Sequence, residues 1–332
     1  MSSYHLYGIG AALVDTEIEV NDTDLTDMGI DKGVMTLVDS ARQQEILNHL
    51  SNHLVASKRA SGGSAANTII AASYFGAQTF YSCKVADDEN GAFYLNDLKE
   101  AGVGYHQELK LQAGVTGKCL VMITPDAERT MNTNLGISET VSINELHPTA
   151  IANSQYAYIE GYLVSSETGR AAAIELRQQA EEKGIKTALS LSDPAMVEFF
   201  RDGLQEMIGN GVDLLFCNED EATGYTKTTN VEDAATELKK ISKQFAITLG
   251  SKGALLFDGN DFIKIDSRAV KAIDSNGAGD MFAGAFLYAI THGQNFTDAG
   301  NLASRSAAQV VSQFGPRLRP EQHLELLNQV NS

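Results

Sequence analysis

One short stretch, Asp274-Ser275-Asn276-Gly277-Ala278-Gly279-Asp280, joins small residues and carboxylates directly before a segment rich in Ala, Phe and Met. Gly277 and Gly279 flank the small Ala278, so backbone N–H groups at a helix start can approach a transferring phosphoryl group closely. Asp280 then falls in the first helical turn, where its carboxylate can accept the proton of an attacking hydroxyl. The pattern is also typical of an ordinary glycine-rich turn before a helix with an acidic first turn.

A second small-residue stretch, Ser61-Gly62-Gly63-Ser64-Ala65-Ala66-Asn67, precedes another helical pattern. A ligand can approach the backbone at Gly62 and Gly63, and the Asn67 amide can donate to and accept from vicinal hydroxyls. We expect Asp15 to end the first strand at the carboxyl edge of a parallel sheet, where a carboxylate can bind two hydroxyls. The alternatives are a strand-to-helix turn for the glycines and a solvated turn residue for Asp15.

Two further stretches have both a structural and a functional interpretation. Asn218 and Glu221 have capping-box spacing, which predicts Asn218 as N-cap and Glu221 as the third helical residue. Thr248-Leu249-Gly250-Ser251-Lys252-Gly253 closes a strand with small residues, which is also the pattern of a simple turn.

Composition excludes some classes of partner. The 332 residues carry 25 Lys and Arg against 43 Asp and Glu, a formal net charge of −18. We therefore expect no nucleic-acid or membrane binding through clustered positive charge. Three widely spaced cysteines and the absence of a signal-peptide pattern predict a cytoplasmic protein in a reducing compartment.

The hydrophobic periodicity alternates between strand and helix patterns, which predicts an α/β fold with a doubly wound, mostly parallel central sheet flanked by helices. The predicted strands are Leu6 to Val14, Val34 to Val38, Gln78 to Val85, Gly117 to Thr124, Arg129 to Asn134, Tyr156 to Glu160, Lys186 to Leu191, Val212 to Cys217, Phe245 to Leu249, and a hairpin across Ala254 to Ile265. The predicted helices are Arg42 to Val55, Ser64 to Phe75, Gly91 to Ala101, Glu167 to Lys183, Val231 to Ser242, Gly277 to Thr291, Thr297 to Gln313 and Arg319 to Val330.

Two regions, roughly 15–38 and 105–132, depart from this alternation because only strand-like patterns occur in them. We expect them to leave the central sheet and pair as a small β lid over its carboxyl edge. No linker composition separates them from the rest, which predicts a single domain over residues 1–332.

Taken together, these stretches resemble the ribokinase or PfkB family of carbohydrate and nucleoside kinases. Asp274 to Asp280 matches its D-[ST]-x-G-A-G-D signature, and the Gly62-Gly63 stretch resembles its G-G-x-x-x-N motif. Val115-Thr116-Gly117-Lys118-Cys119 and the Val212 to Ala222 stretch resemble two segments of the adenosine kinase-like branch. Four regions in the expected order cover almost the whole chain, so the resemblance implies a ribokinase-like fold.

The resemblance also implies a role for each candidate residue. Asp280 would be the catalytic base, with the Gly277, Ala278 and Gly279 amides as an anion hole and Arg129 reaching toward the phosphates. The sugar or ribose would be bound by the residues Asp15, Gly62, Gly63 and Asn67. ATP would be bound by the residues Asn218, Thr248, Gly250, Gly253 and Asn276, and Glu221 would organise water around Mg²⁺. The resemblance allows a monovalent cation (K⁺) near Asp274, which the sequence does not determine.

The residues together with the resemblance predict an ATP- and Mg²⁺-dependent kinase that phosphorylates the primary, 5′-type hydroxyl of a purine nucleoside such as adenosine. Met35, Leu37, Leu135 and Tyr162 are candidates for an apolar slot for the base, although core or lid packing explains them equally well. The alternatives are a fructose-like or ribose-like sugar, inosine or guanosine as acceptor, or a sensor that binds a ligand without turnover. The sequence leaves two oligomeric states as alternatives, a monomer and a homodimer that pairs through the lid.

Overall fold

The structure, a computed structural model, describes residues 3–53 and 59–330. Within these residues the chain forms a nine-stranded central sheet, a five-stranded second sheet and helices that cover both. In chain order, the central sheet contains β1 (Tyr4–Ile9), β5 (Thr79–Ser82), β6 (Val103–Tyr105), β9 (Ser154–Glu160), β10 (Lys186–Ser190), β11 (Val212–Asn218), β12 (Ser242–Thr248), β13 (Ala254–Phe257) and β14 (Phe262–Ile265). The second sheet contains β2 (Leu13–Glu19), β3 (Met35–Leu37), β4 (Arg59–Gly62), β7 (Thr116–Ile123) and β8 (Arg129–Gly136).

The helices connect these strands and pack against them. They are α1 (Asp22–Asp27), α2 (Ser40–His49), α3 (Ser64–Phe75), α4 (Glu89–Glu100), α5 (Pro148–Ala152), α6 (Glu167–Glu182), α7 (Pro194–Ile208), α8 (Glu219–Thr226), α9 (Val231–Leu238), α10 (Ala278–Thr291), α11 (Phe296–Val310) and α12 (Pro320–Val330). None of them is long and apolar enough to span a lipid bilayer.

The central sheet has the order β14-β13-β12-β11-β10-β9-β1-β5-β6 and is parallel from β12 to β6, with β13 and β14 antiparallel at one edge. Successive residues of a strand point to opposite faces. In β11, Leu214 and Phe216 enter the core shared with α3, α10, α11 and α12. Leu215 and Cys217 enter the core shared with α6, α7, α8 and α9. The predicted doubly wound α/β fold is therefore confirmed.

The second sheet has the order β3-β8-β7-β2-β4. One of its faces is covered by α1 and α2, through a small core that contains Ile18, Leu25, Ile46 and Leu120. Its strands come from residues 13–19, 35–37, 116–123 and 129–136, and also from 59–62, where no strand was predicted.

Several predicted elements have different ends in the structure. The predicted strand Leu6 to Val14 is wrong as one element, because β1 ends at Ile9 and β2 begins at Leu13 in the other sheet. Asp15 therefore lies within β2, rather than at the end of the first strand. The predicted helix Arg42 to Val55 is shorter, since α2 ends at His49; its predicted last two residues lie outside the described residues.

The prediction that region 15–38 holds only strand patterns is also wrong. It contains α1, which begins after Asn21 with a complete capping box to Asp24. The predicted helix Val231 to Ser242 ends at Leu238, and Ser242 opens β12. Helices α7 and α8 were not predicted, although the cap that begins α8 was.

Candidate active site

A cavity of about 440 Å³ lies between the carboxyl edge of the central sheet and the uncovered face of the second sheet. Its walls come from both layers: Asp15, Met35 and Met131 belong to the second sheet, whereas Asn218 and Thr248 end central strands. The turn from Ser275 to Asp280 forms a third wall. In open parallel sheets, ligands typically bind outside the carboxyl ends of the strands, which is where this cavity lies.

The side chain of Asp274, which is completely buried, stabilises the glycine-rich turn from Ser275 to Asp280. Asp274 Oδ1 accepts from the Asn276 amide at 2.8 Å, and Oδ2 accepts from the Gly315 amide at 3.0 Å. Gly277 is the N-cap of α10, with φ of +73°, and a Cβ there would lie 2.2 Å from the Pro316 carbonyl oxygen. Only glycine fits this position without strain.

The first turn of α10 presents N–H groups that have no partner inside the helix. The Ala278 amide donates to the Ser275 carbonyl at 3.3 Å, a long bond. Gly279 is exposed to the cavity, and nothing lies within 4 Å of the position that its Cβ would occupy. The turn is therefore open to an anion at Gly279, and the helix dipole favours negative charge there.

Asp280 lies in the same turn, and two side chains of α3 fix its carboxylate. Ser64 Oγ donates to Oδ1 at 2.6 Å, and Asn67 Nδ2 donates to Oδ2 at 3.0 Å. Burial raises the pKa of Asp280, while these two hydrogen bonds and the Arg129 charge oppose the rise. A raised pKa makes the carboxylate a better proton acceptor for a hydroxyl group.

The predicted hydroxyl-binding residues meet at the next part of the cavity. A Cβ on Gly62 would lie 2.0 Å from Asp15 Oδ2, and one on Gly63, with φ of +100°, would lie 2.3 Å from the Ala11 carbonyl oxygen. Asp15 Oδ1 and Asn67 Oδ1 are buried, and neither has a hydrogen-bond partner in the part of the chain that the structure describes. Such acceptors suit the hydroxyl donors of a ligand, because an unpaired buried oxygen is costly.

The environment of Asp15 is unfavourable for a negative charge. Its pKa is raised well above the ordinary value by burial and by the negative charges of Glu17 and Asp280, and Arg317 opposes this rise. A carboxylate kept in such surroundings is typical of a functional site.

Glu160, which ends β9, belongs to the site but was not predicted. Its carboxylate accepts from the Ala11 amide at 3.1 Å and from the Ala65 amide at 2.7 Å. It thereby joins the β1–β2 connection to the start of α3, and burial raises its pKa to about 7. The available signal was an acid that follows Tyr156-Ala157-Tyr158-Ile159 and closes a strand at the carboxyl edge.

The predicted capping box at Asn218 and Glu221 is present. Asn218 Oδ1 accepts from the Glu221 amide at 2.7 Å, and Glu221 Oε2 accepts from the Asn218 amide at 3.1 Å. The pKa of Glu221 is raised to about 8, mainly by burial and also by Asp193, against the Asn218 hydrogen bond and the Arg129 charge. Both residues line the cavity, so the cap and a ligand role are compatible.

Of the other residues predicted to bind ATP, Thr248 and Asn276 line the cavity, and Asn276 Nδ2 is buried with no partner among residues 3–53 and 59–330. Gly250 and Gly253 do not line it. They bound the 3₁₀ turn at Gly250–Lys252 with φ of +56° and +94°, and a Cβ on Gly253 would lie 1.9 Å from the Ile265 carbonyl oxygen. Their structural role is to form this turn.

Arg129 begins β8 and places its guanidinium among negative charges of the cavity, including those of Asp193 and Asp280. The four apolar candidates, Met35, Leu37, Leu135 and Tyr162, also line the cavity. Tyr162 Oη donates to Asp193 Oδ2 at 3.1 Å.

The donor set suits Mg²⁺ bound through water and phosphate oxygens. Across the described chain, no group of three or more His, Cys, Asp or Glu could hold a metal ion directly. Mg²⁺ in nucleotide sites usually keeps several waters and takes one or two carboxylates, and Glu221 offers a carboxyl group at the cavity wall.

Comparison with known proteins agrees with this geometry. The profile described as "pfkB family carbohydrate kinase" matches residues 35–323. The structure of adenosine kinase from Sinorhizobium meliloti superimposes with a TM-score of 0.93 and 30% identity, over 99% of this chain and 100% of that one. Adenosine kinase from Schizophyllum commune is 26% identical over 96% of this chain and 98% of its own length. Ribokinase from Staphylococcus aureus is 28% identical over 83% and 88%, respectively. The chain therefore belongs to the pfkB family of carbohydrate kinases, which transfer a phosphoryl group to an alcohol.

Proposed function

We propose that this protein transfers the γ-phosphoryl group of ATP to the primary, 5′-type hydroxyl of a nucleoside, with adenosine as its acceptor. One observation carries the proposal: a fixed carboxylate, Asp280, shares a cavity with an open anion-binding turn and with two buried acceptors, Asp15 Oδ1 and Asn67 Oδ1, that have no hydrogen-bond partner among the described residues. Ribose offers vicinal hydroxyls for those acceptors and a primary hydroxyl for Asp280.

The transfer requires one proton movement. Asp280 accepts the proton of the primary hydroxyl as its oxygen attacks the γ-phosphorus and the bond to the ADP oxygen breaks. The amides of Gly277, Ala278 and Gly279 stabilise the charge that develops on the transferring group, and Arg129 adds a positive charge. Ser64 and Asn67 keep the Asp280 carboxylate oriented toward the cavity.

The nucleotide lies on the side of the cavity formed by Asn218, Thr248 and Asn276. Gly250 and Gly253 form the turn that follows Thr248, and their contact with the nucleotide stays a prediction. When bound, Mg²⁺ would neutralise charge on the phosphates, and Glu221 would hold it through water.

The second sheet acts as the lid in this proposal, within one domain over residues 1–332. The predicted lid regions, 15–38 and 105–132, contribute Asp15, Met35, Arg129 and Met131 to the cavity wall. Closure over both substrates would exclude water and limit ATP hydrolysis. The mixed wall of Met35, Leu37, Leu135 and Tyr162 gives the base an apolar surface.

A coupled ADP-release assay with Mg²⁺ATP tests this function against adenosine, inosine, guanosine, ribose and fructose. We expect turnover with adenosine and none with the free sugars. Turnover confined to ribose or fructose would retain phosphoryl transfer but reject the nucleoside. Binding of adenosine with no turnover of any acceptor would favour the ligand sensor.

A further inference from the structure

Arg317 lies in the loop between α11 and α12, and this loop contacts the anion-binding turn and also helix α4. Its neighbour Pro316 packs beneath Gly277, and Gly315 donates to Asp274 under the anion-binding turn. Arg317 itself turns away from that turn, and its Nη2 donates to Asp97 Oδ2 on α4 at 2.9 Å. Only 13% of the Arg317 side chain is exposed, so this ion pair is largely shielded from water.

Asp97 also contacts β4, the strand that ends at Gly62 and leads into Gly63. The same Oδ2 accepts a hydrogen bond from Ser61 Oγ on β4. One turn earlier on α4, Tyr94 Oη donates to the Gly62 carbonyl at 2.9 Å. The end of β4 is therefore bonded to α4, and Arg317 adds an ion pair to the same Asp97 side chain.

We propose that Arg317 is a positioning residue, which acts through Asp97 and Ser61 to fix Gly62 and Gly63 relative to the anion-binding turn. The distance between these two segments sets where the acceptor hydroxyl lies relative to the phosphoryl group. A small misplacement of reacting groups is costly in a transfer reaction. The inference deepens the proposed function and rests on it for the identity of the acceptor.

Charge supports the same role. Asp15 lies beside Gly62, and Arg317 opposes the rise in its pKa that burial, Glu17 and Asp280 cause. The second guanidinium nitrogen, Nη1, is buried with no hydrogen-bond partner in the described part of the chain. Arg317 thus places a positive charge near Asp15, in the part of the cavity assigned to the acceptor, in addition to its contact with Asp97.

The test compares Arg317→Gln, Arg317→Lys and Asp97→Asn with the exposed control Arg319→Gln. Calorimetry measures the Kd of adenosine and of Mg²⁺ADP, and amide hydrogen exchange follows residues 60–66 and 277–281. We expect Arg317→Gln to weaken adenosine binding about tenfold, which is the size of one charge-assisted hydrogen bond. Exchange at 60–66 should quicken, while exchange at 277–281 and the Kd of Mg²⁺ADP stay unchanged because Asp274 still holds Gly315.

Arg317→Lys keeps the charge and should restore most of the affinity, and Asp97→Asn should reproduce the loss. Unchanged exchange at 60–66, or equal acceleration in both segments, would overturn the positioning role. If the wild-type protein binds no adenosine but Arg317→Gln still quickens exchange at 60–66 alone, the proposed acceptor is wrong and the positioning role stands.

Discussion

Asp280 combines two properties that a phosphoryl-transfer base requires. Ser64 and Asn67 fix its orientation, and burial raises its pKa while leaving it beside an open anion-binding turn. Neither hydrogen bond removes all the acceptor capacity of the carboxylate, because each oxygen has two lone pairs. A substrate hydroxyl can therefore still donate to it.

The two glycines of the turn should respond differently to a methyl group. At Gly279 the φ angle is ordinary and the Cβ position is empty, so Gly279→Ala should leave thermal stability unchanged or raise it by about 0.4–1 kcal/mol. The new methyl group would occupy space that the phosphoryl group needs. We expect kcat/KM to fall at least about tenfold, consistent with a lost oxyanion-type contact.

Gly277→Ala is the matched comparison, because its methyl group would meet Pro316 in a positive-φ position. That variant should lose both stability and activity. Full activity in a stable Gly279→Ala protein, measured by calorimetry and ADP release, would argue against an anion site at this turn.

At the residue level, sequence reasoning succeeded where the site is local in the chain. The Gly277 turn and the Asn218 cap each follow from a few neighbouring residues, and the structure contains both. Glu160 could not be found this way, because its partners Ala11 and Ala65 are 149 and 95 residues away. Gly250 and Gly253 were assigned to the ATP site by resemblance; they bound the turn after Thr248 and do not line the empty cavity, so their contact with ATP stays a prediction.

The packing of α12 on α3 depends on an uncharged histidine. His323 is completely buried against Tyr74 and Phe75, and its Nδ1 donates to the Arg319 carbonyl at 2.9 Å. Its Nε2 is buried with no partner among the described residues. Protonation there would bury an unpaired charge, and burial accordingly lowers the pKa of His323 to about 4 from 6.5.

This shift predicts how stability depends on pH. Between pH 6.5 and about 4 the unfolded chain binds a proton at His323 and the folded chain does not. The contribution of neutral His323 to the free energy of unfolding is therefore complete above pH 6.5. It is lost as the pH falls toward 4, by about 3 kcal/mol in all.

His323→Phe should flatten that part of the stability profile in urea unfolding at pH 4 to 7. His49, an exposed histidine of α2, provides the control, and His49→Gln should leave the profile unchanged. An unaltered decline in His323→Phe would show that other groups cause the acid sensitivity.

At the level of elements, most strands and helices were predicted from periodicity, whereas α7 and α8 were not. Ser64 to Phe75 was predicted with both ends correct, since glycine bounds it on each side. Helix α7 was not predicted, although Asp193 as N-cap and Pro194 at the first helical position are typical signals of a helix start. The division of Leu6 to Val14 between two sheets depends on tertiary pairing of Leu13 with Gly62 and Gly117, which periodicity does not encode.

Across the whole molecule, the cavity is shared between two layers, so bound substrates should couple them. Adenosine together with Mg²⁺ and a non-hydrolysable ATP analogue should slow amide exchange throughout β7 and β8 and raise the Tm more than either ligand alone. Saturation at one hundred times Kd corresponds to about 2.7 kcal/mol of added stability for each independent site. Protection limited to residues that touch ligand, with β7 unaffected, would exclude closure of the second sheet.

The role of Asp280 as the proton acceptor is tested by the turnover of Asp280→Asn with adenosine and Mg²⁺ATP, measured beside the adenosine Kd of the same variant. We predict that kcat falls about 10²- to 10⁴-fold, the usual contribution of a general base, while adenosine still binds. A variant that retains near wild-type kcat would contradict the assignment of Asp280 as the proton acceptor.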